Sequence, residues 1–160
     1  MSLTKSWKDY PYCQLTSVEL DKKGIKWFCD NEIPVLEDDI YIVNYNNQHW
    51  YLVCVQFPNI FCYCSYGAIS KWKDRPSKTL MKSAKAQGFK NIYVNDDCNQ
   101  PPQSWLCGYM DLVIYDKLKK QHSKLNWDKF RNIINGTFTK KASDKNVYTT
   151  TKVCKRLGVI

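Results

Sequence analysis

The sequence lacks several features that would assign it to common classes of protein. No apolar run approaches the roughly 18 residues of a membrane-spanning helix, and the opening MSLTKSWKDY has no signal-peptide apolar region. We therefore expect a soluble protein that is intracellular, not secreted and not bound to a membrane. No repeat and no Gly/Ser-rich linker divides the 160 residues, which predicts a single domain over residues 1–160.

The cysteine and histidine spacing argues against a metal centre. Eight cysteines are present, but none forms a C-x-x-C pair, and only two histidines could complete a mixed zinc site. Cys54, Cys62 and Cys64 lie in an apolar stretch, where a free cysteine usually packs as a small hydrophobic side chain. We expect reduced thiols, and neither a metal nor a coenzyme.

The charge balance is strongly basic. The net charge is +9, with 24 Lys and Arg against 15 Asp and Glu, and the basic residues are dispersed with local clusters at Lys71–Lys85, Lys117–Lys124 and Lys140–Lys155. Solubility alone explains such a charge. Attraction to a polyanion, with nucleic acid as the leading candidate, explains it equally well.

The residue patterns predict an α+β fold, a small and mostly antiparallel sheet flanked by helices. Thr16 and Glu19 predict a helix start, with the helix running to about Phe28. An antiparallel meander is predicted from three β segments, Asp39–Tyr45, Trp50–Val55 and Ile60–Tyr66. Further predictions are a helix over Lys78–Gln87, a strand over Asn91–Val94, a helix from Cys107, a short helix over Asn126–Ile134, and a basic, poorly specified tail over 137–160.

Cys107 stands where a loop becomes a helix, because Met110, Val113 and Ile114 fall on one helical face. A thiol at a helix N-terminus meets the positive end of the helix dipole, which favours the nucleophilic thiolate. A buried cysteine that begins a core helix is the simpler interpretation of the position alone.

Neighbouring residues favour the catalytic interpretation. Gln100, Ser104 and Gly108 complete the pattern Q-x-x-x-S-x-x-C-G, and a glutamine amide beside the Cys107 backbone N–H suits a developing oxyanion. His49 begins a predicted strand after a polar turn, where an imidazole can take the thiol proton and return it to the leaving amine.

These motifs resemble the adenain family of viral cysteine endopeptidases, which shares a clan with the SUMO-specific proteases. The resemblance covers roughly residues 15–118 and rests on His49-Trp50, Tyr63-Cys64-Ser65-Tyr66-Gly67 and Gln100…Ser104…Cys107-Gly108. It implies a nucleophile at the N-terminus of a core helix, and cleavage of virion precursor proteins at small, Gly-containing sites. It also implies double-stranded DNA and an activating peptide as cofactors.

The same resemblance implies a DNA virus, virophage or virus-like mobile element as the source, acting in the host nucleus or cytoplasm or in the virion. We expect a monomer. Papain-like enzymes place the cysteine before the histidine, which here would pair an early cysteine such as Cys29 with His122. No papain signature surrounds any early cysteine, and His122 lies in the Lys-rich KLKKQHSK, where a solvated role is the better interpretation.

One position departs from the family pattern. The Asp or Glu that orients the imidazole falls on Cys64, and a thiol cannot hold imidazolium charge as a carboxylate can. A neighbouring group such as Ser65, or an Asp from elsewhere in the chain, could substitute; the enzyme could run as a Cys–His dyad; or the position could be degenerate and activity weak. Two rival functions stay open: a deconjugating protease for a ubiquitin-like modifier, and a catalytically weakened nucleic-acid-binding relative.

Overall fold

The computed structural model describes residues 14–47, 49–67, 77–101, 104–121 and 123–160. These residues form a five-stranded sheet with helices on both faces, which confirms the α+β class. The strands are β1 (Trp27–Cys29), β2 (Ile40–Tyr45), β3 (His49–Gln56), β4 (Asn59–Tyr63) and β5 (Asn91–Val94). The helices are α1 (Ser17–Lys22), α2 (Lys78–Ala86), α3 (Cys107–Lys119), α4 (Trp127–Thr137) and α5 (Asp144–Leu157).

The sheet is mixed, which corrects the prediction of a mostly antiparallel one. Its order is β1-β2-β3-β4-β5. The predicted meander is confirmed, since β2 pairs antiparallel with β3 and β3 with β4. Both edge strands pair parallel to their neighbours, β1 to β2 and β5 to β4. A parallel neighbour needs a long crossover, and the segment containing α2 supplies it between β4 and β5.

Alternation along the strands builds a separate core on each sheet face. In β2, Ile40 and Ile42 belong to the core cluster that includes residues of α3, α4 and α5, whereas Tyr41 and Val43 belong to the cluster that includes residues of α2. Successive strand residues point to opposite faces, so the continuous apolar pattern of the meander is explained by burial on both sides. The sheet is thus the middle of three layers.

The first helix is shorter than predicted. Its start is confirmed, because Thr16 Oγ1 accepts from the Glu19 amide at 3.4 Å. It ends at Lys22 rather than near Phe28, since Gly24 takes a φ of +66° and the Ile25 amide bonds back to the Leu20 carbonyl at 3.0 Å. Glycine adopts this left-handed conformation without the steric cost of a Cβ, which makes it a common helix terminator. The chain then extends into β1.

The C-terminal region is also more ordered than predicted. Helix α4 runs through Asn135-Gly136 to Thr137 rather than closing there. The region predicted to be a poorly specified tail contains α5, a helix of 14 residues capped by Ser143 and ended by Gly158 at a φ of +77°. Its buried face contributes Val147, Val153 and Cys154 to the core shared with α3.

Candidate active site

The candidate site lies at one end of the sheet, where several elements begin or end together. Strand β3 starts there with His49, and the antiparallel β4 and the parallel β5 both finish there, at Tyr63 and Val94. Helix α3 begins with Cys107, as predicted, and packs on β3. Loops that follow strands at a common sheet end bring together residues far apart in sequence.

His49 is buried, at 1% exposure, and pairs across the sheet with Tyr45. Its Nε2 atom lies 3.2 Å from the Sγ atom of Cys64, the residue predicted to stand at the imidazole-orienting position. The Tyr66 ring lies beside the imidazole, with 5.4 Å between centroids and 33° between planes. The predicted base and the predicted orienting position are therefore in direct contact.

Cys64 is held by the residue that follows β5. Asn95 Oδ1 accepts from the Cys64 amide at 2.7 Å, and Asn95 Nδ2 donates to the Cys64 carbonyl at 2.7 Å. Both bonds hold the backbone of Cys64, which fixes the point from which its side chain projects. The strand β4 ends at Tyr63 rather than at the predicted Tyr66, so Cys64 belongs to a turn closed by the Gly67 amide bonding to the Cys64 carbonyl at 3.0 Å.

Gly67 is required by close packing of the loop after β5. Its φ is +58°, and a Cβ there would lie 2.3 Å from the carbonyl oxygens of Asp96 and Asp97. No side chain fits at that separation, and the backbone conformation itself favours glycine. The glycine of the Tyr66-Gly67 pair therefore has a steric origin in this protein.

Cys107 is the first residue of α3 and is 3% exposed. Burial raises the pKa of its thiol to about 12, with Asp111 adding to the rise, while the backbone N–H groups of Trp50 and Gly108 act to lower that pKa. The helix N-terminus is expected to favour thiolate, but in this buried position desolvation acts against the amide contacts and favours the neutral thiol.

The Trp50 contact is informative because Trp50 follows His49 directly. The Cys107 sulfur thus interacts with the peptide that joins the predicted base to its neighbour. Trp50 is itself anchored by its indole N–H, which donates to the Leu15 carbonyl at 2.9 Å. Gly108 lies against the same two side chains: a Cβ there would lie 2.7 Å from Leu15 Cβ and 3.1 Å from Trp50 Cδ1.

Gln100 is buried at 1% exposure, and its side-chain amide is held at both ends. Its Oε1 atom accepts from the Ser65 hydroxyl. Its Nε2 atom donates to the Tyr66 hydroxyl at 3.1 Å and to the Ser104 hydroxyl and carbonyl at 3.0 and 3.1 Å. The motif residues Gln100 and Ser104 are therefore in contact, and the amide faces Tyr66.

Asp111 is an ionisable residue near the site that the sequence patterns did not single out. It lies one helical turn after Cys107, is fully buried, and neither carboxyl oxygen has a hydrogen-bond partner among the described residues. Burial raises its pKa well above the usual range. Burial without a charged partner favours the protonated, neutral form of a carboxyl group.

No disulfide joins any two of the seven cysteines within the described ranges. No cluster of His, Cys, Asp or Glu suited to a metal ion occurs in the described part of the chain, and no helix there is both long and apolar enough to cross a membrane. Cys13, His122 and part of the Lys71–Lys85 cluster lie outside the described residues. No protein-family model matches the chain, and no curated protein matches it.

Tyr66, Asn95 and Asn99 contribute to the site without having been assigned a role from sequence. Tyr66 belongs to the motif Tyr63-Cys64-Ser65-Tyr66-Gly67, but the spacing of that motif does not predict which residues Tyr66 contacts. Asn99 directly precedes Gln100, and its Oδ1 accepts from the Tyr63 hydroxyl at 3.1 Å. The sequence does not show that a polar residue beside a motif residue is buried, and a buried polar residue needs hydrogen-bond partners.

Proposed function

We propose that this protein is a cysteine endopeptidase in which Cys107 is the nucleophile, His49 the general base and Gln100 an oxyanion donor. The observation that carries the proposal is that Tyr66 contacts two of the predicted site residues: its ring lies beside His49, and its hydroxyl accepts from Gln100. His49 in turn contacts Cys64 through Nε2.

The reaction begins with a neutral thiol, because burial holds the pKa of Cys107 high. His49 takes the Sγ proton as sulfur attacks the carbonyl carbon, and the N–H groups of Trp50 and Gly108 stabilise the developing thiolate. Collapse of the tetrahedral intermediate breaks the C–N bond, and His49 returns the proton to the leaving amine. Water then hydrolyses the thioester, releasing the acid and restoring the thiol.

The oxyanion is stabilised by Gln100 together with the Cys107 backbone N–H. Gln100 Nε2 already donates to two hydroxyl groups and one carbonyl, all within 3.1 Å, so its position is defined before the reaction. The oxyanion takes the place of one of these acceptors. Preorganised donors of this kind lower the barrier because they need no rearrangement as charge develops.

Cys64 acts as the partner of His49 at the position where the family has an acid. Its sulfur lies 3.2 Å from Nε2, near enough to orient the ring by a weak hydrogen bond. A neutral thiol supplies orientation but little stabilisation of imidazolium charge. We therefore expect a working enzyme that is slower than one with a carboxylate at this position.

The substrate class follows from the resemblance, precursor proteins of a virus or virus-like element that are cut at small, Gly-containing sites. Trp105 supports a peptide substrate, since this large side chain is 51% exposed two residues before the nucleophile. An exposed aromatic surface beside a catalytic residue is suited to packing against an extended chain.

The net charge of +9 supports a second part of the proposal, binding of double-stranded DNA as a cofactor. Phosphate contacts release counterions, so affinity should fall steeply between low and moderate salt and depend little on base sequence. Fluorescence anisotropy with duplexes of two unrelated sequences measures both properties. A flat salt response would leave the charge as a solubility feature.

A peptidyl vinyl sulfone ending in Gly-Gly tests the catalytic assignment. The Cys107 sulfur adds to the alkene carbon, a proton goes to the adjacent carbon, and mass spectrometry locates the adduct. Cys154 is the matched control, because it is also buried and its pKa is likewise raised to about 12 by burial. We expect labelling of Cys107 alone, lost in His49→Ala; equal labelling of Cys107 and Cys154, or none, would refute the proposal.

A further inference from the structure

One peptide unit at the site, between Asn99 and Gln100, is held from both sides. Its N–H, which belongs to Gln100, donates to the Ser65 carbonyl at 3.0 Å. Its carbonyl, which belongs to Asn99, accepts from Asn146 Nδ2 at 3.1 Å. Ser65 follows β4, whereas Asn146 lies in the first turn of α5. The backbone that carries Gln100 is thus clamped between the sheet and the C-terminal helix.

The Asn99 side chain strengthens this clamp. Its Nδ2 donates to the Thr139 carbonyl at 2.7 Å, and its Oδ1 accepts from the Tyr63 hydroxyl at 3.1 Å. The backbone N–H of Asn99 also donates to the Ser65 carbonyl, at 2.7 Å. Asn99 is 1% exposed, so these bonds form in a desolvated environment where a lost partner is costly.

Asn146 joins the two sides of the network, and its chemistry is specific to an amide. Its Nδ2 donates to the carbonyls of Asn99, Thr139 and Lys141, each at 3.1 Å, while its Oδ1 accepts from the Thr139 amide at 2.7 Å. Of the common side chains of this size, aspartate would lose the donor and leucine would lose both functions. Asn146 is 1% exposed, so these bonds lie in the protein interior and not at a solvent-exposed helix end.

We propose that Asn146 is a positioning residue for Gln100, so that α5 sets the geometry of the oxyanion site. This inference rests on the proposed peptidase function. Asn146 contacts neither the thiol nor the imidazole; it acts through the Asn99 carbonyl on the backbone from which the Gln100 side chain projects. Loss of the clamp lets this backbone shift, and displacements of about 1 Å at a catalytic group can cost on the order of 10²-fold in rate.

The test compares two reactions of Cys107 that differ in their need for an oxyanion. A peptide aldehyde ending in Gly-Gly forms a hemithioacetal whose oxygen occupies the oxyanion site, whereas iodoacetamide alkylates sulfur with no such oxygen. In Asn146→Ala we expect at least about tenfold weaker aldehyde binding. The alkylation rate of Cys107, measured by mass spectrometry, should stay within about twofold of the wild type because the thiol and imidazole are untouched.

Val147→Ala is the matched control, since Val147 is the next residue of α5, equally buried, and apolar. It should lower the melting temperature while leaving aldehyde affinity unchanged. If Asn146→Ala does not fold, Asn146→Asp serves, because it keeps the size and the acceptor for Thr139 but removes the donor to Asn99.

The outcomes separate this inference from the function on which it rests. Weaker aldehyde binding in both Gln100→Ala and Asn146→Ala supports the inference. If Gln100→Ala weakens binding and Asn146→Ala does not, the positioning role is overturned and the peptidase stands. Equal losses of aldehyde binding and alkylation in Asn146→Ala would indicate a general structural role and also overturn it. A wild-type protein that binds no aldehyde would overturn the peptidase and, with it, this inference.

Discussion

His49 Nε2 and Cys64 Sγ lie 3.2 Å apart at the buried end of the sheet. In a carboxylate-assisted site, the group at this position holds the imidazole tautomer and balances its charge after proton transfer. Here the group within reach of Nε2 is a thiol rather than a carboxylate. The backbone of Cys64 is fixed by two bonds to Asn95, so a substituted side chain would project from the same point.

Cys64→Asp should therefore raise kcat. The carboxylate would replace a neutral partner of Nε2 and stabilise the imidazolium that forms during attack, so we expect an increase of about tenfold or more. Turnover of a fluorogenic peptide ending in Gly-Gly measures the change. Cys64→Ser is the control, because its hydroxyl is polar but uncharged and should give little gain.

No gain from Cys64→Asp, with the protein still folded, would mean that packing alone holds His49. Burial of a new carboxylate has a cost, and this cost is offset only if the imidazole is close enough to pair with it. Circular dichroism of the variant separates failed folding from failed catalysis.

The meander and α3 were predictable because their signals are local. The apolar run of β3 and the helical spacing of Met110, Val113 and Ile114 are each visible within one segment. The contact between His49 and Cys64 was predictable from the motif pattern, since antiparallel pairing of β3 with β4 brings the start of one strand to the end of the other.

Other features depend on long-range contacts that no local pattern encodes. β1 has only three residues, and its strand conformation comes from pairing with β2. α5 reads as polar and basic because its apolar face is narrow and partly made of threonine. The bond between Asn146 and Asn99 joins residues 47 positions apart, so nothing near Gln100 indicates it.

Gly108→Ala should destabilise the fold and impair labelling of Cys107. The added Cβ would lie 2.7 Å from Leu15 Cβ and 3.1 Å from Trp50 Cδ1, and both side chains are buried. One of these groups must shift, so we expect a loss of about 1–3 kcal/mol. Urea denaturation measures it. Gly136→Ala in α4 is the control: no atom lies within 4 Å of its Cβ, and it should stabilise by about 0.5–1 kcal/mol. Equal effects of the two changes would contradict the packing argument.

Alkylation of Cys107 by iodoacetamide should accelerate continuously from pH 7 to pH 10. The folded pKa is raised to about 12, so the thiolate fraction grows throughout this range, by about tenfold per pH unit. Residue-resolved mass spectrometry gives the rate. A plateau near pH 7 would instead indicate a preformed thiolate–imidazolium pair. The proposal that Cys107 is a neutral thiol in the resting protein would then be wrong.

Asp111 should make the protein less stable as the pH rises. Burial raises its folded pKa, whereas in the unfolded chain the group titrates near about 3.9. Below that value both states are protonated and the group has no effect. Above it the unfolded state loses its proton first, so the folded state binds more protons and stability falls, by up to about 1.4 kcal/mol per pH unit, until the folded pKa is reached.

Asp111→Asn removes this titration with little change in size. The unfolding free energy of the variant minus that of the wild type should therefore increase as the pH rises from about 4 toward neutral, whichever protein is more stable at pH 4. Urea unfolding at several pH values measures the difference. Asp128→Asn is the control for the substitution itself, because that side chain is 78% exposed in α4. Parallel profiles for wild type and Asp111→Asn would show that Asp111 has an interior partner that keeps it ionised, and the account of a neutral carboxyl one turn below Cys107 would fail.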